Sequence, residues 1–267
     1  MTDAVHEPGS AVRTEVAAGV ATVTVDVPPV NALGARAFRG LEDAAERLGA
    51  DAEVRVVVLT GAGTKAFMAG ADIKEFEELQ ADPLGMPRRM RWAREVFTLW
   101  ARLPQPVIAA VQATAAGGGL EIALLCDIIV ADRTARLGLP EAKLGLIPAG
   151  GGTARLARRV GAARAKQLMM LGSLIDADQA LAIGLADRVA EAGTALRAAQ
   201  DLASQLAAMP NVAIRAIKRA VDHGAERDLE AALDIESAAF MTAYHSADFQ
   251  EGYRAFQERR PPQFSHR

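Results

Sequence analysis

A single cysteine, Cys126, denies the chain an intrachain disulfide framework, and its setting in Leu124-Leu125-Cys126-Asp127 predicts a buried, inert thiol. Histidine is scarce as well. His6, His223, His245 and His266 lie toward the ends and adjoin no serine or cysteine motif, which argues against a Ser-His or Cys-His nucleophile and against a zinc cluster. With a net charge of only −3 and a pI near 5.9, the chain lacks the basic field that draws proteins to nucleic acids or acidic membranes. No basic n-region or apolar h-region occurs in Met1 to Glu7, so no secretory signal is read there and a cytoplasmic protein is expected. The most apolar stretch, Pro106 to Val130, is broken by Gln112, three consecutive glycines, Glu121 and Asp127, groups too costly at membrane depth. Gly61-Ala62-Gly63-Thr64-Lys65 is superficially like a phosphate-binding loop but lacks the full spacing, and no G-x-G-x-x-G follows. Exact internal repeats and low-complexity tracts are missing too.

What is present is ample core-forming material: 51% of the 267 residues are hydrophobic and 24% charged, enough for one globular unit or a core with an appendage. Val23, Val25 and Val27 alternate with Thr22, Thr24 and Asp26 at the period of a half-buried strand, which Pro28-Pro29 ends. Phe38, Leu41, Ala45 and Leu48 then recur at helical spacing, and Val54 to Leu59 is a buried-strand run. A second cycle places a loop at Gly61 to Asp72, a helix from about Met90 to Leu103 and a strand at Val107 to Val111. After Gly117 the chain is expected to be helical through Cys126 and extended at Ile128 to Ala131. Beyond about Ala177 it becomes Ala-rich, charged and helical, with Pro210, Gly224 and Gly252 as breaks. Such a pattern predicts an α/β core over residues 1–200 and a C-terminal helical region over 201–267.

Three segments can carry chemistry. Ala66-Phe67-Met68-Ala69-Gly70-Ala71-Asp72-Ile73-Lys74 runs from a predicted strand into a predicted helix, where a small-residue turn exposes backbone N–H groups to an anion, although small residues also simply allow close packing. Ala116-Gly117-Gly118-Gly119-Leu120-Glu121 has the same setting, and its three glycines imply a close approach to the backbone. Glu121 stands among Leu120, Ile122, Ala123, Leu124 and Leu125; burial there raises a carboxyl pKa toward the range useful for proton transfer, whether for catalysis or within a structural ion pair. Twenty residues on, Glu141 follows Gly138-Leu139-Pro140. It is either the second member of an acid–base pair or a helix N-terminal acid, and spacing alone does not show that the two acids meet.

Together these segments closely resemble the crotonase (enoyl-CoA hydratase/isomerase) family over nearly the whole chain. Asn31-Ala32-Leu33, Lys65 through Lys74, Gly117 to Glu121, Cys126-Asp127, Leu139-Pro140-Glu141, Gly145-Leu146-Ile147-Pro148 and Gly151-Gly152-Thr153 occur in the family's order and at its spacing. The resemblance implies a spiral of β-β-α repeats with C-terminal helices that build a homotrimer or hexamer, and a setting in fatty-acid and other lipid metabolism. It also implies an acyl-CoA thioester as substrate, so that CoA is part of the substrate and neither a metal nor another cofactor is expected. Ala71 and Gly118 would supply the oxyanion-hole N–H groups, while Ala69, Gly70, Asp72, Ile73, Lys74 and Arg259 would line the CoA path. Glu121 and Glu141 match the family's two hydratase glutamates, which implies enoyl-CoA hydration. The alternatives are a delta-isomerase or other thioester enolate chemistry, and an RNA-binding member, for which only the patch Arg88-Arg89-Met90-Arg91 with Arg94 speaks. Leu139, Ala149 and Arg259 depart from the residues the family more often carries.

Overall fold

A computed structural model describes residues 3–5 and 11–266; most of the segment read for a secretory signal lies outside them. The chain begins β1 (Asp3–Val5), β2 (Val12–Ala17), β3 (Val20–Val25) and α1 (Ala35–Ala50), followed by β4 (Val56–Gly61), β5 (Ala66–Met68), α2 (Phe76–Ala81) and α3 (Gly85–Ala101). Next come β6 (Val107–Val111), β7 (Thr114–Ala116), α4 (Gly118–Ala123), β8 (Ile128–Asp132), β9 (Arg136–Gly138), α5 (Gly152–Val160) and α6 (Ala162–Leu171). It closes with β10 (Leu174–Asp176), α7 (Ala177–Ala182), β11 (Arg188–Ala190), α8 (Ala195–Ala207), α9 (Asn211–Gly224), α10 (Leu229–Tyr244) and α11 (Ala247–Glu258). Two short 3₁₀ turns, Ile73–Glu75 and Glu141–Leu144, follow β5 and β9.

The strands divide between a seven-stranded sheet, in the order β1-β2-β3-β4-β6-β8-β11, and a four-stranded one, β10-β9-β7-β5. Each of the pairs β4/β5, β6/β7 and β8/β9 gives its first strand to the large sheet and its second to the small one, and helical structure then returns the chain. Because β4, β6 and β8 are parallel, as are β5, β7 and β9, successive repeats stack as turns of a spiral.

Continuous apolar runs in β4 and β6 follow from burial on both faces. Val57, Leu59, Val107 and Ala109 point into the main core with α1 and α3, while Val56, Val58, Ile108 and Ala110 pack on Ala199, Leu202 and Ala203 of α8. The division expected at residue 200 therefore falls inside a core helix, whose buried face extends to Ala207. Gly252 does not break the tail. It lies within α11, where the ring of Phe264 stands 3.5 Å from the position a Cβ would occupy. No helix among the described residues is long and apolar enough to cross a membrane.

A partly buried ion pair ties the tail to the core. Lys218 Nζ of α9 donates to Asp127 Oδ2 (2.7 Å) and to the Gln105 carbonyl (3.1 Å), and the same Asp127 oxygen accepts the Val107 N–H at the start of β6 (2.6 Å). Lys218→Met strands a carboxylate of which the side chain is only 26% exposed. The expected loss is about 2 kcal/mol, between the limits for surface and fully buried pairs, read as a lower urea midpoint at unchanged m.

Candidate active site

Asn31 shapes the first loop from a distance. Buried at 2% exposure, its Nδ2 donates to the carbonyls of Ala62 (2.9 Å), Ala66 (2.9 Å) and Phe67 (3.2 Å), while its Oδ1 accepts the Val27 N–H (3.0 Å). Beyond β5 the loop forms a single parallel bridge between Leu33 and Ala71, in which the Leu33 N–H donates to the Gly70 carbonyl (2.8 Å) and the Asp72 N–H to that of Leu33 (3.4 Å). In a parallel bridge of this kind the N–H of Ala71 points away from the partner.

On that other side lies the Gly117-Gly118 turn. Ala71 N is 3.8 Å from where a Gly118 Cβ would stand, and Gly118 N is 3.4 Å from a Gly70 Cβ. Gly118 is the first residue of α4, so its N–H is among those a helix leaves without an intrahelical acceptor. Two main-chain donors from separate loops thus lie close together, near enough to share one oxyanion if both turn toward it.

After Ala71 the chain is held by its own side chains. Asp72 caps the first 3₁₀ turn by accepting the Lys74 N–H (3.1 Å). Glu75 accepts the N–H of Ala35 at the start of α1 (2.8 Å) and pairs with Arg89 (2.5 Å), whose guanidinium lies 5.6 Å from the ring centroids of Phe38 and Trp92. Two members of the arginine patch are therefore engaged within the chain, Arg89 with Glu75 and Arg88 with Asp82. Ala69, Ile73 and Lys74 are exposed beside the donor pair, and Gly70 is buried beneath it. Arg259 is exposed too, capping α11 in a left-handed conformation, and no contact among the described residues joins it to the two loops.

Glu121, on α4, is 5% exposed. Its Oε1 accepts two main-chain N–H groups, from Gly150 (2.7 Å) and Gly152 (2.8 Å). Burial pushes its pKa up, against those two bonds and the charge of Arg155, which pull it down. Glu141 opens the second 3₁₀ turn and is half-buried, with Oε1 3.0 Å from where a Gly117 Cβ would stand and Oε2 buried without a hydrogen-bond partner. Its pKa is raised as well, first by burial and then by the nearby charge of Glu121. Glu141 thus lies beside the Gly117-Gly118 turn and within reach of the charge of Glu121, and its Oε2 has no hydrogen-bond partner.

The residues that hold Glu121 were not singled out from sequence. Gly151-Gly152 was visible only as part of a motif, and nothing about Asn31, Glu75 or Arg155 reads as site chemistry without the contacts. Cys126 is buried and its thiol pushed up by desolvation, as expected of an inert core cysteine.

A family model described as "Enoyl-CoA hydratase/isomerase" matches residues 15–267. The chain is 39% identical to the short-chain-enoyl-CoA hydratase of Clostridium acetobutylicum, over 90% of this chain and 92% of that one. It is likewise 39% identical to human mitochondrial methylglutaconyl-CoA hydratase, over 88% of this chain and 70% of the other. Among solved structures, an enoyl-CoA hydratase from Bacillus anthracis superposes with a TM-score of 0.92 at 34% identity, covering 96% of this chain and all of that one (100%). One from Geobacillus kaustophilus reaches 0.96 at 29% identity over 100% of both chains.

Proposed function

The chain belongs to the enoyl-CoA hydratase/isomerase family, and from that premise we propose that it is a hydro-lyase adding water across the double bond of a trans-2-enoyl-CoA to give the 3-hydroxyacyl-CoA. The observation that carries the reading is a pair of pKa-raised carboxyls that feel each other's charge, with Glu141 beside the turn that carries one of two neighbouring main-chain N–H donors. An isomerase that moves one proton between C2 and C4 needs one such acid and no water site.

In this reading the thioester oxygen sits between the N–H groups of Ala71 and Gly118, which stabilise negative charge as it builds toward the enolate. Glu121 Oε1 is occupied by Gly150 and Gly152, so Oε2 is the oxygen left to orient a water. That water's oxygen bonds to C3 as one of its protons passes to a carboxylate, and Glu141 delivers a proton to C2. One water is consumed, no electrons leave, and neither a metal nor a redox cofactor is called upon. Exposed Ala69, Ile73 and Lys74 would line the CoA approach together with half-buried Asp72 and with Gly70, and Arg259 would meet a CoA phosphate as a planar fork.

A homotrimer, or a hexamer of two trimers, completes the proposal. Supporting it, the C-terminal helices expose large apolar side chains, among them Ile217, Val221, Leu229, Phe240 and Phe256 at 62–84%. Sedimentation should give about three or six times the 28.1 kDa chain mass, and a stable monomer at micromolar concentration would remove this part of the reading.

Loss of absorbance of the conjugated thioester of crotonyl-CoA tests the activity directly. Inactivity toward crotonyl-CoA and longer enoyl-CoAs, with CoA esters still bound, would move isomerisation or other enolate chemistry to the front.

A further inference from the structure

We infer that Arg155 is a positioning residue of the hydration site, holding the Gly150-Gly151-Gly152 turn in the shape that presents two N–H groups to Glu121 and so aiming the oxygen that faces the water. The inference rests on the hydratase reading above.

The turn has no side chains of its own with which to keep its shape, and glycine gives up more chain entropy on ordering than any other residue. Nor are the glycines replaceable. A Cβ at Gly150 would run into the Phe97 ring and stand 2.7 Å from Glu121 Oε2, and one at Gly152 would lie 2.9 Å from Glu121 Oε1, Leu139 Cδ1 and Pro148 Cβ. Gly151 has φ +107°, and a Cβ there would overlap Arg155 Nη1. The guanidinium therefore lies directly on the middle residue of the turn.

Arg155 Nη1 also donates to the Gly150 carbonyl (3.2 Å), while the Arg155 N–H donates to the Gly151 carbonyl (2.8 Å). Gly150 is thus gripped through its C=O by arginine and offers its N–H to Glu121. Both bonds to Glu121 land on the same oxygen, which fixes the plane of the carboxyl and leaves Oε2 free of them.

Stability alone disfavours this placement. Arg155 lies in the first turn of α5, where a cation opposes the helix dipole, and it is half-buried. Burial first, and Arg158 to a lesser degree, push its pKa down, while Glu121 and Glu226 pull it up. The neighbouring cations are engaged elsewhere, Arg158 with Glu226 and Arg159 with Asp187. Facing Glu121 are the positive charge of Arg155 from α5 and the carboxyl of Glu141 from the second 3₁₀ turn, so Arg155 favours the ionised form of a carboxyl that burial drives toward its neutral form.

The experiment compares pH–rate profiles for wild type, Arg155→Gln, Arg155→Lys and Arg158→Gln on crotonyl-CoA, with the melting temperature of each. Arg155→Gln should lower kcat by roughly ten- to a hundredfold, the scale of a misplaced catalytic group, with KM changed less than about twofold. Its acid limb should move to higher pH, because the charge favouring ionised Glu121 is gone. Arg155→Lys should restore the limb and part of kcat, and Arg158→Gln should leave both unchanged. A folded Arg155→Gln enzyme with wild-type kcat and limb overturns the inference, as does a loss of kcat matched by a lower melting temperature with the limb unmoved. Should wild type show no hydration, the reading of function fails separately. The ¹³C carboxyl titration of Glu121, assigned with Glu121→Gln, then decides: a higher midpoint in Arg155→Gln sustains the positioning role, and an unchanged one removes it.

Discussion

Glu121→Gln and Glu141→Gln should each lower hydration of crotonyl-CoA by at least about a hundredfold, the lower end for a positioned acid–base group, while the fold persists. Glutamine keeps the shape of glutamate and an oxygen able to accept the N–H groups of Gly150 and Gly152, so Glu121→Gln removes the ionisable group and spares the packing. Stability provides the control. An acid whose pKa rises on folding binds its proton more tightly in the native than in the unfolded chain, so its contribution to stability falls as pH climbs from the unfolded value to the folded one. Both carboxyls are raised, so the charge removed by either substitution is one that disfavours the native state at neutral pH. Melting temperatures of the variants should equal that of wild type below the ordinary carboxylate range and match or exceed it at neutral pH. For wild type, the acid limb of kcat/KM should lie above the ordinary carboxylate range, as an apparent value of the coupled pair rather than of either glutamate. Either variant retaining activity within tenfold would dissolve the two-carboxyl mechanism.

Gly119→Ala is the second substitution with a large expected effect, and it acts through the main chain. A Cβ at this position would overlap the carbonyl oxygen of Met68, with the Met68 Cβ only 2.9 Å away. Neither the end of β5 nor the start of α4 can yield by rotating a side chain, so the two must separate. Met68 leads into Ala69-Gly70-Ala71 and Gly119 follows Gly118, so the movement parts the two N–H donors. Overpacking should cost about 1–3 kcal/mol, read by urea unfolding. If the pair forms the proposed oxyanion hole, losing one donor should lower kcat by about 10²–10³. Wild-type kcat in a folded Gly119→Ala protein would mean that the close approach of the two loops is not what sets the donors.

How far the fold could be read from the chain differs element by element. Val107–Val111 shows as a strand because five consecutive apolar residues, buried on both faces, leave no other economical reading. The small sheet does not show, since β5, β7, β9 and β10 are three residues each, too short for any period to register. β2 hides for another reason: its burial alternates only weakly, and the charged Arg13 and Glu15 leave no apolar period to register. The boundary expected at residue 200 lies within the Ala-rich, helical stretch that begins near Ala177, and α8 continues across it to cover the back of the large sheet. Gly252 read as a break, but in α11 it makes room for the Phe264 ring.

By itself the sequence determined the α/β class and marked the two glycine-bearing loops and the two acids as candidates, because each is a local signal: a run, a turn composition, a carboxylate set among apolar neighbours. Only the tertiary structure decided that Glu121 meets the N–H groups of Gly150 and Gly152, 29 and 31 residues further on, that Asn31 braces the loop before β5, and that Arg155 lies on Gly151. A main-chain donor belongs to every residue except proline, so it leaves no letter in the sequence. Its partner is chosen when successive turns of the spiral stack.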